Sequence, residues 1–186
     1  MEILTPVETL LKIEYMRPDE LSKEEYSSFN ATYIRAVEEL SLLEGLEKGL
    51  NQMVSFISAI PVEKLEYRYA ENKWTIKDIL LHLIDAERIF AYRALRIGRG
   101  DKTALAGFEE NDYVPNAGAN NRTSESLLEE FRLVRKATLF LFKNFSNEQL
   151  LYLGTASNHA ISVRAIGFVI SGHLNHHLRI IQERYL

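Results

Sequence analysis

Ile166-Gly167-Phe168-Val169-Ile170-Ser171-Gly172-His173-Leu174-Asn175-His176-His177-Leu178-Arg179-Ile180 is the stretch on which the architecture turns. Ile166, Val169, Ile170, His173, His177 and Ile180 recur at the three- and four-residue steps of one helical face. Ser162 ahead of them is a good N-cap residue, and Ile161 and Ile166 are placed to form a hydrophobic staple. The pattern predicts a last helix from Ser162 to about Arg184. Two histidines take places on a strip otherwise made of apolar side chains. This helix is therefore both a core element and the first place to look for chemistry.

Working back along the chain, the same period recurs. Leu43, Leu46, Leu50, Met53, Ile57 and Ile60 step by three and four, predicting a first long helix from about Ile34 to Ile60, stopped by Pro61. Thr75 and Asp78 form a capping-box pattern, with Trp74 and Ile79 as the staple pair, so a second helix should run to about Ile97, before Gly98 and Gly100. Residues 100–122 read as a loop of 23 residues, long enough to be functional or a packed crossover. A third helix should begin at Thr123 or Ser124, with Leu127, Phe131, Val134, Thr138 and Leu141 on one face. Ser146 to Gln149 looks like a helical turn and Gly154 to His159 like a loop. No run alternates at period two, so essentially no sheet is expected. The prediction is all-α: a four-helix bundle with a long crossover, residues 31–186, preceded by an irregular arm, 1–30, which Tyr26, Phe29 and Tyr33 could anchor.

Composition narrows the function. The 186 residues make one domain, 46% hydrophobic and 26% charged, a globular balance. A net charge of −4 argues against a nucleic-acid binder. No apolar run is long enough to cross a membrane, and the acidic start Met1-Glu2-Ile3-Leu4 is unlike a signal peptide. The absence of cysteine excludes disulfides, a thiolate nucleophile and thiolate metal sites, and fits a reducing cytoplasm. A transition-metal site here would have to use the five histidines and carboxylates.

His173 and His177 are one helical turn apart, close enough for both imidazoles to reach one ion. His82 lies on the apolar face of the second helix, between Ile79 and Ala86. Three polar rings in a bundle core need partners, and a divalent ion or mutual hydrogen bonding could supply them. His176 points away from this face, and His159 falls in the predicted loop. Asp85 could orient or join a metal site, or simply pair with Arg88. Arg93, three turns after His82 on the same side, could meet an anionic substrate or form a salt bridge. A zinc-peptidase reading fails, because the residue after His173 is Leu174 where that motif needs its glutamate base.

These residues carry a family likeness. Asn72-Lys73-Trp74-Thr75-Ile76-Lys77-Asp78, His82-Leu83-Ile84-Asp85-Ala86-Glu87-Arg88-Ile89-Phe90, Leu105-Ala106-Gly107-Phe108-Glu109, Val163-Arg164-Ala165 and Gly172-His173-Leu174-Asn175-His176-His177-Leu178 resemble the DinB-like (DinB/YfiT-like) family. These are small four-helix metalloproteins, distinct from the polymerase that shares the name. The likeness covers about Arg17 to Leu186. It implies that His82, His173 and His177 bind one divalent metal ion, zinc or nickel first among candidates, with open positions left. It also implies a homodimer, for which the apolar run Leu139, Phe140, Leu141 and Phe142 offers a second face on the third helix.

Characterised members of that family include thiol-dependent transferases and an isomerase. The resemblance therefore implies a metal-dependent enzyme for a small-molecule substrate, with low-molecular-weight-thiol S-transfer as the candidate reaction. The alternative is a metal-stabilised binding or stress-response module without turnover. Without cysteine in the chain, the thiol would have to be a co-substrate. Ile79, Ile89, Val169 and Ile170 are the expected dry wall of the site, and Trp74 and Tyr113 are candidate substrate contacts.

Overall fold

The computed structural model describes residues 16–186. Residues 1–15 of the expected arm lie outside the described residues. Two short 3-10 turns, Pro18–Glu20 and Lys23–Glu25, lead into α1 (Ser28–Arg35). The chain then forms α2 (Leu42–Ser58), α3 (Ile76–Gly98), α4 (Glu110–Ala117), α5 (Ser124–Lys143), α6 (Asn147–Leu150), β1 (Leu153–Ala156), β2 (His159–Ser162) and α7 (Val163–Arg184).

The four long helices form the bundle expected from their apolar periods. α2 and α3 each pack against both α5 and α7, giving a ring α2–α5–α3–α7. Consecutive long helices α2 and α3 therefore sit diagonally, which requires long connections. α1 lies along α7. Two apolar clusters fill the interior, one including Leu42, Leu46, Phe142, Ile166 and Ile170, the other Met53, Ile57, Ile84, Phe131, Leu174 and Ile181. On α7 the boundary between them falls at His173, between Ile170 and Leu174.

The helix starts follow the caps. Thr75 Oγ accepts from the Asp78 amide at 3.0 Å while the Asp78 carboxylate accepts from the Thr75 amide at 2.9 Å. Asn120 Nδ2 also donates to Asp78, at 2.9 Å, and Asn120 Oδ1 accepts from the Thr75 hydroxyl. The long crossover is thereby tied to the start of α3, beside Trp74. Ser162 Oγ accepts from the Ala165 amide and opens α7.

Four expectations need correction. The predicted helix 34–60 is two helices, because Glu38 adopts φ 60° and the chain restarts at Ser41, whose capping box with Glu44 opens α2. The described part of the expected irregular arm, residues 16–30, contains the two 3-10 turns and the start of α1. The crossover 100–122 carries α4 and a further 3-10 turn, Ala119–Asn121. A small antiparallel hairpin exists, with Leu153 paired to Ser162 and Ala156 to His159. Its two-residue turn, Ser157-Asn158, has φ of 50° and 64°, the left-handed pair that suits a tight hairpin. Strands of four residues are too short for alternation to show against a helical background.

Candidate metal centre

Packing of α3 against α7 brings His82 beside the His173/His177 pair. His82 Nε2 lies 3.1 Å from His173 Nε2, and His177 Nε2 lies 3.0 Å from His173 Nε2. The three ligand atoms all fall within 4.8 Å of one another, and the side chains are 8%, 6% and 9% exposed. Asp85 is not among them. It faces Arg88 at 3.5 Å, and burial raises its pKa despite that arginine.

Burial holds all three imidazoles neutral. It pushes His82 down to about 4 and His177 to about 3, with His82 and His176 adding to the effect on His177. His173 is driven well below its ordinary value by burial first and by the neighbouring histidines next. Neutral imidazoles are what a metal ion requires.

Hydrogen bonding among the rings cannot satisfy all three. The Nε2 of a neutral His173 is either one donor or one acceptor, so only one of its two contacts can be a well-formed hydrogen bond. The other leaves two lone pairs or two protons opposed. A cation would accept all three lone pairs together. Nitrogens about 2.0–2.1 Å from one ion and roughly 95° apart are separated by about 3.0 Å, the spacing that His173 makes with each of the other two. The donor set thus fits a divalent ion. His177 Nδ1 is buried without a protein partner, so a side-chain acceptor of the kind that usually orients a ligating imidazole is missing among the described residues.

The cluster forms one wall of a cavity of about 470 Å³. Aromatic rings enclose it. Trp74 lies 4.8 Å from the His82 ring and stacks near His177 at 6.5 Å. Tyr33 meets His173 edge-on at 5.1 Å, and Phe90 does so at 6.0 Å. Tyr33 can approach because Gly172 has no side chain: a Cβ there would sit 1.8 Å from the Tyr33 carbonyl oxygen. Burial raises the Tyr33 pKa, with the charge of Glu110 adding to it.

The structure rearranges the expected surroundings. Trp74 lines the cavity as expected, whereas Tyr113 does not; it is 46% exposed and packs on Phe108 at 5.3 Å. The apolar wall is Ala86, Phe90, Ile161 and Ile166 rather than Ile79, Ile89, Val169 and Ile170. His176 lines the cavity edge, half-buried, with its ring 5.5 Å from Tyr33. His159 belongs to β2 and also lines the cavity. Tyr33, Phe108, Glu110 and Ser157 reach the site from α1, the crossover and the hairpin turn. Phe108 lies in one of the family-like segments, but nothing in the local sequence of Tyr33, Glu110 or Ser157 marks them as site residues, because only the packing of distant segments brings them there.

No curated protein matches the chain. Among solved structures, the chain is similar to YfiT from Bacillus subtilis, described as a probable metal-dependent hydrolase with an unusual four-helix bundle topology. The TM-score is 0.69 at 15% identity, covering 92% of this chain and 95% of that one. The shared feature is the fold. A model of the DinB superfamily matches residues 46–181, a span that contains all three clustered histidines. The chain belongs to the DinB superfamily.

Proposed function

We propose that this protein is a divalent-metal-dependent enzyme for a small-molecule substrate, with His82, His173 and His177 as metal ligands. The observation that carries this reading is the meeting of three neutral Nε2 atoms, at 3.0 and 3.1 Å, on the wall of a cavity of about 470 Å³. Zinc and nickel both suit an all-imidazole donor set. When bound, such an ion supplies the charge that keeps a water or a small thiol deprotonated near neutral pH.

The chain's own residues do the rest. Trp74, Tyr33 and Phe90 pack around the rings, limit water and hold the histidines in place. The cavity gives room for a substrate beside them. The reaction proposed is S-transfer from a low-molecular-weight thiol: the thiol gives its proton to solvent, its sulfur bonds to an electrophilic carbon, and the bond from that carbon to the leaving group breaks, the leaving group departing with the electron pair. The thiol is a co-substrate, since the chain has no cysteine. Hydrolysis is the second reading, favoured by the description of YfiT. The same proposal places the protein in the cytoplasm as a homodimer. No described helix is long and apolar enough to cross a membrane.

Cobalt substitution tests the reading. Titration with bacillithiol, glutathione or coenzyme A should raise an intense near-ultraviolet charge-transfer band. A cobalt spectrum that no thiol perturbs at millimolar concentration would remove S-transfer and leave hydrolysis. Metal binding without turnover in a screen of thiols, electrophiles and esters would leave a metal-stabilised binding module.

A further inference from the structure

The cavity that holds the histidines has a second end. There Arg93, on α3, is 7% exposed. Its Nη2 donates to the Ala106 carbonyl at 2.8 Å and to Ser157 Oγ at 3.0 Å. Its guanidinium carbon lies 5.9 Å from the Phe90 ring centre and 5.8 Å from that of Phe108. Nε and Nη1 have no hydrogen-bond partner among the described residues.

Two other buried arginines show what this one lacks. Arg135 holds Glu87 at 2.8 Å, and Arg164 holds Glu25 at 2.6 Å. No carboxylate among the described residues pairs with Arg93. Glu110 lines the same cavity without bonding to it. Burial lowers the Arg93 pKa, and no neighbouring charge opposes that shift. A buried guanidinium with only neutral acceptors bears a desolvation cost that the other two offset with carboxylates.

Its position relates it to the histidines. Phe90 neighbours both, 5.9 Å from the Arg93 guanidinium carbon and 6.0 Å from the His173 ring centre. These two separations put the guanidinium no more than about 12 Å from the His173 ring. One small molecule can touch both ends.

Building on the metal-dependent reading of this cavity, we propose that Arg93 binds an anionic group of the substrate, a carboxylate or a phosphate. The substrate is then an acidic small molecule that reaches from Arg93 to the histidine cluster. The Ala106 carbonyl and Ser157 hydroxyl fix the guanidinium, and the flanking rings strengthen a charge-assisted hydrogen bond by excluding water. A neutral analogue would leave the buried cation unpaired, which is how such a site discriminates.

Trp74, the chain's single tryptophan, lines the cavity, so its fluorescence reports occupancy. The test titrates metal-free protein with hexanoate, hexyl phosphate and hexanol. At least one anion should half-saturate wild type at a concentration about tenfold or more below hexanol. Arg93→Met and Arg93→Gln should each bring that anion to within about twofold of hexanol and leave hexanol itself unchanged. Arg93→Lys should keep part of the preference. The tighter of the two anions identifies the group. Equal midpoints in wild type, or a preference that survives both substitutions, would overturn the proposal. So would loss of helical circular dichroism in both variants, which would make the guanidinium structural. Because no metal enters the titration, its outcome is independent of whether His82→Ala changes metal content, and the two readings can fail separately.

Discussion

Arg135 on α5 donates from Nε and Nη2 to the two carboxylate oxygens of Glu87 on α3, both at 2.8 Å, with the side chains 1% and 3% exposed. Its remaining nitrogen, Nη1, donates to the Leu46 carbonyl of α2 at 3.0 Å. One guanidinium thus joins three helices of the bundle. Removing one member leaves the other charge buried and unpaired, so Glu87→Gln or Arg135→Met should cost about 3–5 kcal/mol. Urea denaturation measures this, and a cost below about 1 kcal/mol would deny the pair its role.

The histidine cluster makes a direct prediction about metal content. His82→Ala or His177→Ala removes one of three ligands and should abolish stoichiometric binding in protein purified without chelators. His159→Ala should not, since that side chain lines the cavity outside the cluster. Elemental analysis decides it; equal metal in wild type and in the His82→Ala, His177→Ala double variant would refute the site.

Close approach of α1 to α7 rests on Gly172. Gly172→Ala would place a methyl 1.8 Å from a backbone oxygen, forcing the helices apart and moving Tyr33 off His173. Overpacking of this kind costs about 1–3 kcal/mol. Gly107→Ala is the control, because its nearest neighbour, Ser157 Oγ, is at an ordinary 3.4 Å. Equal melting temperatures for the two variants would contradict this account.

Glu25 fastens the N-terminal turns to α7. Its carboxylate accepts from Arg164 at 2.6 and 2.7 Å and from the Ser162 hydroxyl at 2.7 Å. Burial alone would raise its pKa, but these bonds outweigh burial and hold it below the usual 4.5. A depressed carboxylate stabilises the fold above its unfolded-state pKa and loses that contribution as pH falls through the folded value. The stability gap between wild type and Glu25→Gln should therefore be full at pH 7 and shrink below about 4.5. A gap unchanged down to pH 3 would show that the charge contributes nothing.

Of the apolar run on α5 expected to meet a second copy, Leu139 and Phe142 are buried in the core, and Leu141 partly so. Phe140 remains 71% exposed, and Leu133, two turns earlier on the same face, is 60% exposed. If a second copy covers this face, light scattering should give a dimer mass for wild type and a monomer mass for Phe140→Glu. A monomeric wild type at micromolar concentration would dismiss the dimer.

Local chemistry was legible in the chain. The caps at Thr75, Thr123, Ser146 and Ser162 and the three- and four-residue apolar steps depend only on near neighbours, and each marks a helix that forms. The one-turn spacing of His173 and His177 is likewise a property of a single helix. The break before α2 was also written locally, in the capping box of Ser41 and Glu44, but the apolar steps after it masked the restart. On α5 the expected face holds, with Leu127, Phe131 and Thr138 buried and Val134 and Leu141 partly so, but the buried face also includes Arg135, because Glu87 on another helix compensates its charge. Periodicity counts a charge as outward-facing unless its partner is known. The meeting of His82 with His173, 91 residues apart, needs the diagonal order of the bundle. Arg93 needs it too: its residue type offers an anion site or a salt bridge equally, and only the packed cavity leaves it without a carboxylate among the described residues. Helix formation is decided over a few residues, whereas the pairing of buried charges is decided by whatever the fold brings within hydrogen-bonding distance.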